Sequence, residues 1–168
     1  IYQHALDEDP ARYRRLTTPS MADLTPAWSP DGSRIAFRRY HEDGTGSVML
    51  IDADGGHERE LAKTDRLKDA LAWSPDGTRL AFAATVGSTQ GIVLCDARTG
   101  KITPLSGATT RDWNPAWCRN TGELLFMSER EGNPAVFRMP SPGGRVARLS
   151  AHEPADLVSV SPSGAYVT

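Results

Sequence analysis

Three observations predict an all-β fold, a β-propeller of about four blades' worth of four-stranded antiparallel sheets with its first and last blades incomplete. An eleven-residue string recurs along the chain at intervals of 44 or 45 residues. Each interval carries four short strand-like segments, and a period of 40 to 45 residues with four strands is the size of a propeller blade. Twelve prolines and fifteen glycines punctuate the 168 residues closely, which leaves few stretches long enough for a helix.

The repeat is plainest in its first two copies. Ala27-Trp28-Ser29-Pro30-Asp31-Gly32-Ser33-Arg34-Ile35-Ala36-Phe37 returns as Ala72-Trp73-Ser74-Pro75-Asp76-Gly77-Thr78-Arg79-Leu80-Ala81-Phe82, with nine of eleven positions identical. A more diverged copy runs from Ala116 to Phe126, and a fourth, Val160 to Thr168, keeps Ser161-Pro162-Ser163-Gly164 but not the tryptophan. Each copy reads as a β-hairpin. A strand ends in Trp-Ser, Pro-Asp-Gly makes the turn, and a strand with alternating apolar residues follows. Period two places Ile35 with Phe37, Leu80 with Phe82 and Leu124 with Phe126 on core faces.

The third strand of each period is a continuous apolar run, as expected of a strand covered on both sides: Val48 to Ile51, Ile92 to Cys95 and Ala135 to Phe137. A glycine-bearing turn follows, at Gly55-Gly56, Gly100 and Gly143-Gly144, and the fourth strand reaches a leucine at Leu61, Leu105 and Leu149, with Leu16 as an earlier member. Laid out in order, these segments give a half blade over 1–17 and full blades over about 25–62, 70–106 and 114–150. A half blade over 157–168 completes the count. The halves sum to one blade. Three arrangements accommodate that sum: a piece of a larger propeller, two copies completing each other's split blade as a homodimer, or one chain closing alone.

The string Pro26 to Phe37, followed by Met49-Leu50-Ile51-Asp52-Ala53-Asp54-Gly55-Gly56 and Arg59-Glu60-Leu61, resembles the TolB-like, WD-repeat-like β-propeller repeat. The resemblance covers nearly the whole chain, is close in the first two full blades and is weaker in the third, where Cys118-Arg119-Asn120-Thr121 replaces the turn. It implies a propeller fold and a bacterial protein that is periplasmic or exported. It also implies a non-catalytic scaffold that binds protein or peptide, or else the gating propeller of a serine peptidase of the prolyl oligopeptidase type. A third reading is a metal-dependent propeller enzyme.

Composition narrows the partners. Nineteen basic against 21 acidic residues give a net charge of −2, so counterion release from a phosphate backbone has no driving excess of cations, and nucleic acid is not expected. No apolar run approaches the length that spans a bilayer, so no membrane insertion is expected. Cys95 and Cys118 lack metal-ligand spacing, and there is no Gly-x-Ser-x-Gly elbow and no phosphate loop. No catalytic residue, metal ligand or cofactor is assigned. The four histidines, His4, His41, His57 and His152, fall in different parts of the repeat, and Asp52 to Gly56 lacks the glutamate of a calcium loop.

The candidate partner-binding residues come from the loops that enter each first strand. Asp23, Asp69, Asp112 and Asp156 each lie four or five residues before the tryptophan position, in every blade present. Radial repetition gathers them at one mouth of the channel, where a carboxylate ring draws a cation or a basic peptide; the alternative is that each caps its own loop. Arg111 and Trp113 flank Asp112, and both residue types are enriched in interface hot spots, although Trp113 also suits a packing role over the neighbouring blade. Trp28, Trp73 and Trp117 recur with the blade, which reads as packing between blades rather than ligand stacking.

Overall fold

The computed structural model describes residues 1–6, 13–18, 22–64, 66–105, 110–140, 143–149 and 158–161. Every regular element among them is a strand, and no helix is long and apolar enough to cross a membrane. The order is β1 (Tyr2–Gln3), β2 (Arg14–Arg15), β3 (Asp23–Trp28), β4 (Arg34–Tyr40), β5 (Gly46–Asp52), β6 (Arg59–Thr64) and β7 (Arg66–Trp73). There follow β8 (Arg79–Val86), β9 (Thr89–Asp96), β10 (Ile102–Pro104), β11 (Asp112–Trp117), β12 (Leu124–Ser128), β13 (Ala135–Met139) and β14 (Ala147–Arg148). Each consecutive set β3–β6, β7–β10 and β11–β14 is a four-stranded antiparallel meander, and β1 pairs β2 in a two-stranded sheet.

The repeated turn closes by its own chemistry. Ser29 N–H donates to Arg34 C=O at 2.9 Å while the Ser29 hydroxyl donates to Asp31 Oδ1 at 2.6 Å and accepts from Arg34 N–H at 3.0 Å. Ser74, Asp76 and Arg79 repeat all three bonds. Gly32 and Gly77 stand at φ +70° and +67°, where a Cβ would be strained. In the third copy Cys118 N–H still reaches Glu123 C=O at 2.8 Å, with the positive φ moved one residue along to Gly122.

Alternation along the second strands sorts residues between neighbouring sheets. Leu80, Phe82 and Ala84 join Ala36, Val48, Leu50 and Leu61 in one core, between the first and second full sheets. Ala81 and Ala83 face the other way, onto Leu124, Phe126, Phe137 and Met139 of the third, so small side chains on one sheet meet large ones on the next. Ile35 and Phe37 pack towards Ile1 and Leu16, while Leu125 and Met127 pack against Val158 and Val160.

Two expectations need correction. The aspartates of the supposed entry loops lie inside strands, Asp23 and Asp112 as first residues of β3 and β11 and Asp69 within β7. These inner strands begin earlier than the repeat suggests because each absorbs a bulge, between Leu24 and Ala27, Lys68 and Ala72, and Trp113 and Ala116. Thr25 and Asn114 take positive φ there, +50° and +47°. The tryptophans are also not equally buried: Trp73 lies in the core between sheets, but Trp28 is 49% exposed. Trp73 covers β3 of the preceding sheet, whereas the described part of the sheet preceding Trp28 holds only β1 and β2 and offers no inner strand to cover.

Candidate functional site

The face where the inner strands begin carries the candidate residues, and the structure pairs two of its aspartates with arginines. In the first full sheet, strand register sets Asp23 opposite Arg39, whose Nε and Nη2 each donate to one carboxylate oxygen at 2.8 Å. The Asp23 side chain is 1% exposed, the guanidinium stacks 5.5 Å over Phe37, and hydrogen bonding to Asp23 raises the Arg39 pKa above its ordinary value. In the third sheet Arg130 Nη2 donates to Asp112 Oδ2 at 2.9 Å and its guanidinium stacks over Phe126 and Phe137. Asp, Arg and Phe thus recur as a unit. Charge at these two positions is matched within the sheet instead of standing open as a ring, and neither aspartate serves as the backbone cap of a loop.

The unit is incomplete in two ways. The middle sheet has Asp69 in β7, but its β8 carries Ala83, Ala84, Thr85 and Val86 where the other sheets have Arg39 or Arg130. Asp112 differs from Asp23 as well. Thr110 Oγ1 and Arg130 both donate to its Oδ2, and its Oδ1, on a side chain with 0% exposure, has no hydrogen-bond partner. Asp156 lies outside the described residues.

Arg111 and Trp113 sit together on this face. The Arg111 guanidinium lies 5.4 Å over the indole, is 66% exposed and reaches Glu129 Oε1 at 3.3 Å. Trp113 is half-buried and packs against the cores on both sides of the third sheet. Both readings of this tryptophan therefore have a physical basis: it covers a neighbour and it also offers a ring face to Arg111. Between the second and third sheets, Arg111, Asp112 and Trp113 line a cavity of about 80 Å3 together with Ala83, Ala84, Thr85 and Gln90.

Two of the histidines have local partners, and His152 lies outside the described residues. His41 Nε2 lies 2.7 Å from Ser47 Oγ, which donates to Glu60 at 2.6 Å, and His57 pairs with Asp52 in an exposed turn. Burial pushes the Cys95 thiol up to about 12. Among the described residues no three His, Cys, Asp or Glu side chains come together to hold a metal ion.

Sequence reasoning missed Arg39, Arg130 and the bulges. Two of the three bulges had a signal in Pro26 and Pro115, since proline within a strand marks an edge or a bulge, and the one between Lys68 and Ala72 had none. The arginines had none, because their partners lie 16 and 18 residues away and only register brings them together.

Comparisons with known proteins agree on the architecture. The family described as TolB beta propeller domain matches residues 2–168. Among solved structures, TolB from Acinetobacter baumannii is 24% identical with a TM-score of 0.77 over 95% of this chain and 40% of that one. Puromycin hydrolase is 18% identical, with a TM-score of 0.74 over 91% of this chain and 26% of its own. The β-propeller domain of the Trilobed protease from Pyrococcus furiosus is 14% identical, with a TM-score of 0.60 over 90% and 48%. At these identities the likeness concerns the fold, and the chain spans half or less of each of these three proteins.

Proposed function

Because the chain belongs to the TolB beta propeller domain family, we propose that it is a non-catalytic scaffold that binds a protein or peptide on the face where its inner strands begin. The observation that carries this reading is the Arg111–Trp113 pair. A solvent-exposed guanidinium stacked on a half-buried indole presents a flat, amphipathic surface at little entropic cost, because packing already holds the ring. The rigid sheets beneath supply the scaffold, with Trp113 anchored against apolar clusters on both sides.

The aspartates contribute unequally to such a site. Arg39 offsets Asp23, and Arg130 pairs with Asp112 through Oδ2 but leaves its Oδ1 unpartnered. The unpartnered oxygen, one residue before Trp113 in the chain, favours a partner that brings a charged hydrogen-bond donor to this face.

Selection from a displayed random-peptide library on the full chain tests the reading. Enriched peptides should lose binding by about 2 kcal/mol or more, the hot-spot range, on Trp113→Ala, and weaken on Arg111→Glu. Binders indifferent to both substitutions would place the interaction elsewhere on the molecule.

A further inference from the structure

The cavity between the second and third sheets exists because of three residues that differ from their equivalents one repeat earlier. With Phe37 aligned to Phe82, the positions of Ala83, Ala84 and Thr85 are those of Arg38, Arg39 and Tyr40 in the first full sheet. Alternation turns Ala83 towards the third sheet, so Arg38 and Tyr40 occupy the corresponding places facing the second. There Arg38 is buried with its guanidinium 5.1 Å over the Tyr40 ring, so the chain itself fills that junction with a cation and an aromatic surface. At the next junction alanine and threonine leave the space open.

A second observation says what the open space lacks. Asp112 is one of the lining residues, and its carboxylate, with 0% side-chain exposure, has an Oδ1 without a partner, although a buried carboxylate oxygen without a donor is costly. The matched position Asp23 shows the satisfied arrangement, in which two guanidinium nitrogens hold both oxygens. Thr85 and Gln90 add further polar atoms to the lining, and Arg111 at the rim is already compensated by Glu129.

We propose that this inter-sheet cavity receives the guanidinium group of an arginine from a bound polypeptide, which donates to Asp112 Oδ1 where the chain provides its own arginine one junction earlier. The proposal rests on the peptide-binding reading of the Arg111–Trp113 face and names the side chain that this face selects.

N-ethylguanidinium and its neutral, isosteric counterpart N-ethylurea are the deciding probes, titrated against the full chain while the Trp113 indole N–H is followed by NMR. A saturable shift with N-ethylguanidinium and none with N-ethylurea is expected. Binding should weaken by at least about tenfold in Asp112→Asn, a loss in keeping with a charge-assisted hydrogen bond, and should persist in Asp23→Asn. Ala83→Arg should retain the wild-type melting temperature and abolish the response by supplying the guanidinium internally.

An equal response to N-ethylurea, no saturable response to either probe, or equal binding of n-butylammonium would overturn the assignment and leave a water-filled gap or an unselective one. If either variant fails to fold, the comparison of probes on the native chain still decides. Library peptides that need Trp113 but show no enrichment of arginine, beside a silent N-ethylguanidinium titration, would remove this proposal and keep the binding face. Arginine-independent loss of all peptide binding would remove the face instead.

Discussion

The indole N–H of Trp73 donates to the carbonyl of Ala27 at 3.0 Å, so the tryptophan of one sheet is tied to the inner strand of the sheet before it. Arg34 of that preceding sheet stacks 5.3 Å over the same ring. The equivalent nitrogen of Trp117 is buried and has no partner. Trp73→Phe and Trp117→Phe remove similar volume, but only the first also removes a hydrogen bond. Trp73→Phe should therefore be the more destabilising by about 1 kcal/mol or more, a further fall in melting temperature of about 2–4 °C in a chain of this size. Equal melting temperatures for the two variants would mean that the bond does not join the sheets energetically.

Gly100 is a second point where two sheets meet. It stands at φ +73°, and a Cβ there would lie 1.9 Å from the carbonyl oxygen of Leu61, a backbone atom that cannot swing away. Gly100→Ala thus combines a left-handed conformation, which costs about 1–2 kcal/mol for a residue with a Cβ, with a clash that forces the sheets apart. Gly87 also has positive φ but nothing within 4 Å of such a Cβ, so Gly87→Ala should cost only the conformational part. Urea denaturation of both variants checks this, and similar midpoints would contradict the close contact at Leu61.

The turns and core faces were legible in the residues because their causes are local. Ser29, Asp31 and Gly32 bond within six residues, and the alternation of Ile35 and Phe37 needs only the strand period. What escaped was set by register and by bulk. Asp23 signals a carboxylate near the channel, but that Arg39 lies opposite follows from a strand pairing offset by a bulge. Ala83 is an unremarkable alanine until its neighbours show that no larger side chain fills the space beside Asp112. Trp28 reads like Trp73, and its exposure depends on which strands stand before it.

The Asp23–Arg39 pair makes a prediction about what buried charge does here. Its side chains are 1% and 16% exposed, so removing one partner strands the other in a place poor in water. Arg39→Met should destabilise by about 3–5 kcal/mol, while the double variant Asp23→Leu with Arg39→Met should recover much of that loss, because the buried carboxylate leaves with the guanidinium and Glu58, the other partner of Arg39, is 31% exposed and stays hydrated. A double-mutant cycle by chemical denaturation measures the coupling. A single variant near wild-type stability would show that water reaches the pair.

The turn carboxylates make folding stability depend on acid. Hydrogen bonds from the Ser29 hydroxyl, and then from the Ser33 backbone and hydroxyl, lower the Asp31 pKa to about 2, and Ser74 with Thr78 lowers Asp76 in the same direction. A carboxylate whose pKa is depressed on folding contributes stability that is fully present above its unfolded value of about 3.9 and is lost as pH falls through its folded value. Stability should therefore fall between about pH 4 and about pH 2. The third turn carries Asn120 and no aspartate, so it takes no part. Replacing Asp31 and Asp76 by asparagine keeps an acceptor for each serine and removes the titration. Urea midpoints measured across this range should decline less steeply in the double variant than in the native chain. An unchanged slope would move the acid sensitivity to other carboxylates, of which Asp43, held to about 2 by the Thr45 hydroxyl and backbone, is the next to exchange.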